Sequence, residues 1–437
     1  MRTIFRVSIA LLVTLLLLSA LSCQQKAGVK SPFHYIMGKG DFKAPGTPMP
    51  EKRKPFQDPD FLTTIDRVTD KKDGYIGPGI QNEYSKMDPE NCDGTLLILR
   101  GNSAAYYLYR RSTSRLMRQI TAFDDCDFAE PEPRWDASNP GLFYYVCNTQ
   151  LRSYDVNTGR SNTIHDFKQD FPGSALITTK MEGDASLDRR YWCFMVQDSD
   201  YNLMSVVCYD RDLDSIVGKK AGGFPDDLNW VGMSMSGRYC IVGYEDVAMY
   251  TDVFSRDFKD TVRLPEGSAG HGDAALNKEG RDVYVYQNVR NDYISLADMS
   301  TGAETRLLHV PYEVNPDIGL HISGNCAGTP GWALVSTYGS EKPPQGKRHS
   351  WMDEQLLMLE LEADPRIWRI AHTQSYSSGG HSGEKNYFAE AFAAVNTKGT
   401  RLYWGSNWRD YSPDYTDTYR VVLPVDWVRE MPREPSG

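Results

Sequence analysis

His271-Gly-Asp-Ala-Ala-Leu-Asn-Lys-Glu-Gly-Arg-Asp-Val-Tyr-Val-Tyr286 is the stretch whose reading decides the fold. Small and apolar residues lead to an Asn-Lys-Glu-Gly turn, and the turn opens into a Val/Tyr run of the kind that fills a pleated strand. Glu182-Gly-Asp-Ala-Ser-Leu-Asp-Arg-Arg-Tyr-Trp-Cys-Phe-Met195 repeats that order, and so does Glu390-Ala-Phe-Ala-Ala-Val-Asn-Thr-Lys-Gly-Thr-Arg-Leu-Tyr-Trp404. Weaker copies begin near Asn82, Glu130, Leu228 and His321. A second hairpin follows within a unit, as in Leu151-Arg-Ser-Tyr-Asp-Val-Asn-Thr-Gly159 and Ile294-Ser-Leu-Ala-Asp-Met-Ser-Thr-Gly302, where Asn/Ser-Thr-Gly supplies the turn. Seven such starts, with no amphipathic helix of useful length between them, predict an all-β fold: a seven-bladed β-propeller of four-stranded antiparallel blades. The last unit offers only three strands. Leu62-Thr-Thr-Ile-Asp-Arg-Val-Thr69 precedes the first unit without a partner, so this N-terminal strand is expected to close the ring. The propeller is placed at residues 61–428, with a C-terminal tail at 429–437.

The first residues read as a targeting segment. Arg2 and Arg6 precede an apolar run from Val7 to Leu18 that is too short for a comfortable membrane span, and small residues then lead to Cys23. Residues 1–22 are therefore expected to be a lipoprotein signal peptide and Cys23 the lipidated residue. The Pro-, Lys- and Gly-rich stretch 23–60 is expected to be a tether. The expected location is the cell envelope, periplasmic or on the outer-membrane surface, with contact to the membrane only through the lipid anchor and the protein a monomer. A net charge of −10 without a Lys/Arg tract argues against a nucleic-acid groove. Cys147, Cys193, Cys208 and Cys240 lie in strand-like runs and read as buried apolar fillers, with one or two disulfides left open. There is no CxxC spacing, nucleophile elbow, HExxH, P-loop or dinucleotide fingerprint.

In a propeller the innermost strands start around the central channel. Aligning the units on their turns puts Asn82, Glu130, Glu182, Leu228, His271, His321 and Glu390 at one level. Tyr84, Glu132, Asp184, Trp230, Asp273, Ser323 and Phe392 fall two residues further in. Imidazoles and carboxylates from separate blades would converge there, a donor set suited to a divalent metal such as Mn or Ca or, equally, to a network of hydrogen bonds. Long loops on the same face carry Arg348 and Trp351, then the Ser-Ser-Gly-Gly-His381 run, then Trp408, Arg409 and Tyr411. Aromatic residues of that kind make platforms for sugar rings, and Arg meets carboxylates.

With these residues in view, the chain resembles the seven-bladed oligogalacturonate lyases and, more loosely, the TolB-like propellers. The likeness runs from Arg67-Val-Thr69 and Asn82-Glu-Tyr84 through the blades at His271 and His321 to Ala371-His-Thr373, Glu390 and Arg401-Leu-Tyr-Trp-Gly-Ser-Asn407. It implies a metal held by late-blade His that binds a uronate carboxylate, while a basic residue removes the C5 proton in β-elimination. Carried over residue by residue, it implies His271, His321 and Glu390 as metal ligands. Read from the residues themselves, His271, Tyr84, Arg134 or Arg409 would serve as the base, and Trp230, Asp273, Arg348, Trp351, Trp408 and Tyr411 would contact the substrate. Ala389-Glu-Ala-Phe392 replaces the family's His-Pro-His segment, and Trp230-Val-Gly-Met-Ser-Met235 lacks the family's Arg. The expected activity is cleavage of an acidic, uronate-containing oligosaccharide or polysaccharide. The alternative is a non-catalytic surface propeller that binds glycan or protein.

Overall fold

Seven antiparallel sheets follow one another along the chain in the computed structural model, which describes residues 33–432 apart from 43–45, 129, 246, 341–344, 379–385, 411 and 413–414. Their innermost strands are Ile80–Gln81, Arg134–Trp135, Leu176–Thr178, Leu228–Met233, Gly272–Leu276, Gly319–Ser323 and Ala394–Val395. Blade 5 shows the pattern, running outward through Asp282–Asn288, Tyr293–Asp298 and Glu304–His309. The helix found among the described residues is the short Trp427–Glu430. No described helix is long and apolar enough to cross a membrane. The chain is a seven-bladed β-propeller.

The turns form for the reason the repeats suggested. Asn277 Oδ1 accepts the backbone N–H groups of Glu279 and Arg281 at 3.1 and 2.9 Å, and Gly280 takes the left-handed φ of 74° that closes the turn. Asn396 repeats this in blade 7, accepting from Thr400 and Arg401 at 2.9 Å each. The strands that follow are apolar on both sides because each blade is sandwiched between two others. Tyr191–Gln197 is buried along nearly its whole length, whereas the outermost strand Arg160–Asp166 is largely exposed.

The core accordingly lies between neighbouring blades. Val283 and Val285 of blade 5 pack on Leu320, Ile322 and Val335 of blade 6, and Cys193, Met195 and Cys208 of blade 3 pack on Cys240 and Val242 of blade 4. Those three cysteines are buried fillers, as expected. Cys147 is not: it is bonded to Cys126, tying the connection from blade 1 to the second strand of blade 2, Leu142–Cys147. The pairing escaped the sequence reading because spacing carries no information about disulfide connectivity.

Blade 7 is built from both ends of the described chain. Ala394–Val395, Arg401–Ser406 and Asp417–Val422 are continued by Thr64–Arg67, with Ile65 opposite Val421 and Arg67 opposite Tyr419. Arg67 donates to Asp417 Oδ2 at 2.6 and 3.1 Å and to the Tyr415 hydroxyl at 3.1 Å. Thr69 donates to the other Asp417 oxygen at 2.9 Å. Cys23 and the expected signal peptide lie outside the described residues. The described part of the expected tether lies against the sheets: Ile36–Met37 pairs with the outer strand Ile367–His372 of blade 6, and Phe56–Gln57 pairs outside Thr64–Arg67. Both cover edges that would otherwise present unpaired backbone.

Because Asp417 is fully buried, removing its partner strands a charge inside the closure. Arg67→Met should lower unfolding stability by about 3–5 kcal/mol, read as a fall in the urea midpoint at unchanged slope.

Candidate functional site

Inner strands that start at the channel bring side chains from six blades together at one mouth. His321, on the inner strand of blade 6, sits at the centre. Its ring lies 4.6 Å from the His271 ring, 5.3 Å from Tyr84, 4.6 Å from Phe392 and 5.3 Å from Tyr338, on which it stacks. His321 Nε2 is 3.4 Å from Glu390 Oε2, and Tyr338 hydrogen-bonds the same carboxylate. Nδ1 of His321 is buried without a hydrogen-bond partner among the described residues. Burial pushes the His321 pKa down although Glu390 pulls the other way, so the ring is neutral at ordinary pH. His271 keeps an open face to solvent. The crowded channel wall and then the nearby His321 lower its pKa as well, against the pull of Glu182.

The cation of this cluster is Lys86. Its side chain is only 4 % exposed, its Nζ lies 2.9 Å from Glu182 Oε2, and it stands 3.8 Å over the Trp230 ring. Asn325 of blade 6 donates to the Lys86 backbone carbonyl at 3.0 Å across the channel, which fixes where the side chain starts. Burial works against ionisation of Glu182, but the Lys86 ammonium outweighs it and holds the carboxyl below its usual range. Lys86 was missed by aligning the units on their turns. Lys86 lies in the turn that follows the inner strand Ile80–Gln81, where no strand periodicity marks it.

Other expected residues hold different positions. Asp273 accepts from Gly324 at 2.7 Å and from Ala274 at 2.8 Å, and burial raises its pKa to about 7, so it ties blade 5 to blade 6. The Trp230 face that could meet a sugar is covered by Lys86. Arg134 is clamped by Glu83 at 3.0 Å, Asp184 at 3.4 Å and the Gly183 carbonyl at 3.0 Å. Burial disfavours its charge, but those carboxylates hold its proton more firmly than in free Arg, which unsuits it as a base. Burial likewise keeps the Tyr84 hydroxyl protonated far above neutrality. Glu132 receives the N–H groups of Thr179 and Met181 and so serves the backbone.

The outer loops contribute less than their composition suggested. Trp408 is buried, stacks on Tyr419 at 4.6 Å and donates to the Thr47 carbonyl at 3.1 Å, leaving no platform for a ring. Trp351 packs on the core between blades 5 and 6 under the Arg369 guanidinium. Arg409 lies 3.8 Å from Glu354 and over the Tyr376 ring, and Arg348 is exposed on the loop. Tyr411 and His381 lie outside the described residues. A cavity of about 210 Å³ opens beside the His cluster instead, lined by Tyr84, Arg100, Lys180, Glu182, Tyr387 and Phe392 among others. Tyr387, 53 % exposed, presents the free aromatic face there.

The shape is shared with solved structures. An oligogalacturonate lyase in complex with manganese is 13% identical, with 85% of this chain and 96% of that chain covered and a TM-score of 0.58. The oligogalacturonate lyase from Vibrio parahaemolyticus is also 13% identical, with the same coverage and a TM-score of 0.57. No family model matches the chain, and no curated protein sequence does. At this identity the likeness establishes the propeller fold, as a weak and diverged resemblance.

The loop aromatics make a prediction about stability rather than binding. Trp408→Ala should cost about 3–5 kcal/mol in chemical denaturation, as for other buried Trp truncations, whereas Tyr387→Ala should leave the unfolding midpoint nearly unchanged.

Proposed function

We propose that the channel mouth binds uronate-containing oligosaccharides and cleaves them by β-elimination. The observation that carries this reading is the pairing of a fixed, buried ammonium (Lys86) with a neutral, solvent-facing imidazole (His271) in one cluster. The reaction needs those two things: positive charge to stabilise the carbanion that forms beside the uronate carboxylate, and a group able to take the C5 proton. In the elimination the C5–H electron pair becomes the C4–C5 double bond, the C4–O bond breaks, and the departing oxygen leaves with a proton. Of the four candidate bases, Tyr84 keeps its proton, Arg134 is clamped by carboxylates and Arg409 is engaged by Glu354 and the Tyr376 ring, which leaves His271. Tyr387 and the cavity beside it would hold the sugar ring.

Mn or Ca, if bound, would be met by His271, His321 and Glu390 and would supply a Lewis acid. These donors suit such an ion in kind. In arrangement they do not close on one: among the described residues no His, Cys, Asp or Glu joins His321 and Glu390 to bring three ligand atoms within 4.8 Å of one another. The one group so gathered, Asp125, Cys126 and Cys147, contains the disulfide. No step is therefore routed through a metal. Envelope location fits this reading, since a bridge such as Cys126–Cys147 persists in oxidising compartments.

Purified protein incubated with a panel of uronans should release an unsaturated, ultraviolet-absorbing product, and His271→Ala should slow release by about 10²–10⁴-fold. Retention of the glycan with no product from any uronan would replace the lyase reading with that of a binding propeller.

A further inference from the structure

A solved structure of similar shape is a lyase in complex with manganese, yet the ligand atoms here are not gathered for an ion, and a buried lysine holds a carboxylate in the same cluster. We propose that the Lys86 ammonium is the resident cation of the channel, standing where a divalent ion would otherwise sit and receiving the carboxylate of an acidic sugar. The inference rests on the uronate reading of the site for the second half of that statement and on geometry alone for the first.

Three observations converge on it. Lys86 already holds a carboxylate, Glu182, at 2.9 Å, and is 3.8 Å above Trp230, so an ammonium ion is built into the wall rather than waving from a loop. It also belongs to the cluster a metal would enter: its Nζ is 6.0 Å from the Tyr84 ring, which lies 5.3 Å from the His321 ring. A divalent ion entering among them would meet that positive charge across a poorly screened space and would compete with it for Glu182. Finally, the channel's backbone specifies the position, since Asn325 of blade 6 holds the Lys86 carbonyl of blade 1.

The chemistry of an ammonium suits the role. It is a compact point charge with three donors, able to keep one hydrogen bond to Glu182 while turning another toward an incoming carboxylate. Because the cation is covalently part of the chain, the site would work in the presence of a chelator.

Equilibrium dialysis of the purified full chain against Mn²⁺, and separately Ca²⁺, tests the geometric half without reference to turnover. Wild-type protein should retain no stoichiometric ion. Lys86→Gln, which frees Glu182, should gain about one Mn²⁺ per chain, seen also as loss of the free-ion electron paramagnetic resonance signal, whereas Lys86→Arg should bind none. One tightly held ion on the wild type overturns the proposal, as does a folded Lys86→Gln that binds no better than the wild type. Should Lys86→Gln fail to fold, the wild-type result and Lys86→Arg decide it by the same criterion. The sugar half is read as binding of a galacturonate oligosaccharide in EDTA. Affinity lost on Lys86→Gln and kept on Lys86→Arg supports it, and affinity unchanged by Lys86→Gln overturns it. A protein that binds the sugar this way yet yields no product would fail as a lyase while this inference stood.

Discussion

Arg67 and Asp417 join the two ends of the propeller, and the geometry of everything at the channel mouth follows from that junction. Blade 7 takes its fourth strand from Thr64–Arg67, so the ring closes only when a segment near the start of the domain meets one near its end. The pair is buried and saturated by Thr69 and Tyr415, which turns a strand of four residues into a specific latch. Once shut, it sets blade 7 against blade 1, where Val68 and Tyr403 pack on Leu97, Leu99 and Tyr107. Glu390 and Phe392 are thereby delivered to Tyr84 and Lys86, residues more than three hundred positions earlier in the chain. A ring closed in any other register would lose the cluster.

Within the channel the governing constraint is charge compensation. Carboxylates from several blades point inward, and each has an answer. Glu182 is met by Lys86, Asp184 by Arg134 and Arg189, and Asp273 by backbone N–H groups, while Glu390 faces a neutral imidazole. The answers differ in what they permit. Asp184 and Asp273 are consumed in holding blades together, whereas His271 is open to solvent and Lys86, itself buried, is paired with Glu182 on the cavity wall. That division separates what stabilises the propeller from what could act on a ligand.

Much of the fold was legible because its determinants are local. Asn277 and Gly280 form their turn from side chains within four residues, and the alternation of Val and Tyr behind them marks a strand without reference to the rest. The closing strand was legible by subtraction, one blade being a strand short. His271, His321 and Glu390, aligned at one level by their turns, lie near one another in the structure. What was not legible depends on partners distant in sequence. Trp408 looks like a platform until Tyr419 and Thr47 are seen against it, and Arg134 looks like a spare cation until Glu83 and Asp184 close on it. Lys86 sits in a turn beyond the first inner strand, and its partners Glu182, Trp230 and Asn325 come from three other blades, so no periodicity announces it.

The central claim is that an acidic sugar is received by a lysine inside the channel. A crystal structure with a bound galacturonate oligosaccharide measures it directly. The account predicts the sugar carboxylate within hydrogen-bonding distance of Lys86 Nζ, with C5 facing His271 and a ring edge on Tyr387. A glycan seated on the outer loops around Arg348, or a metal ion between the carboxylate and His321 with Lys86 turned away, would contradict it.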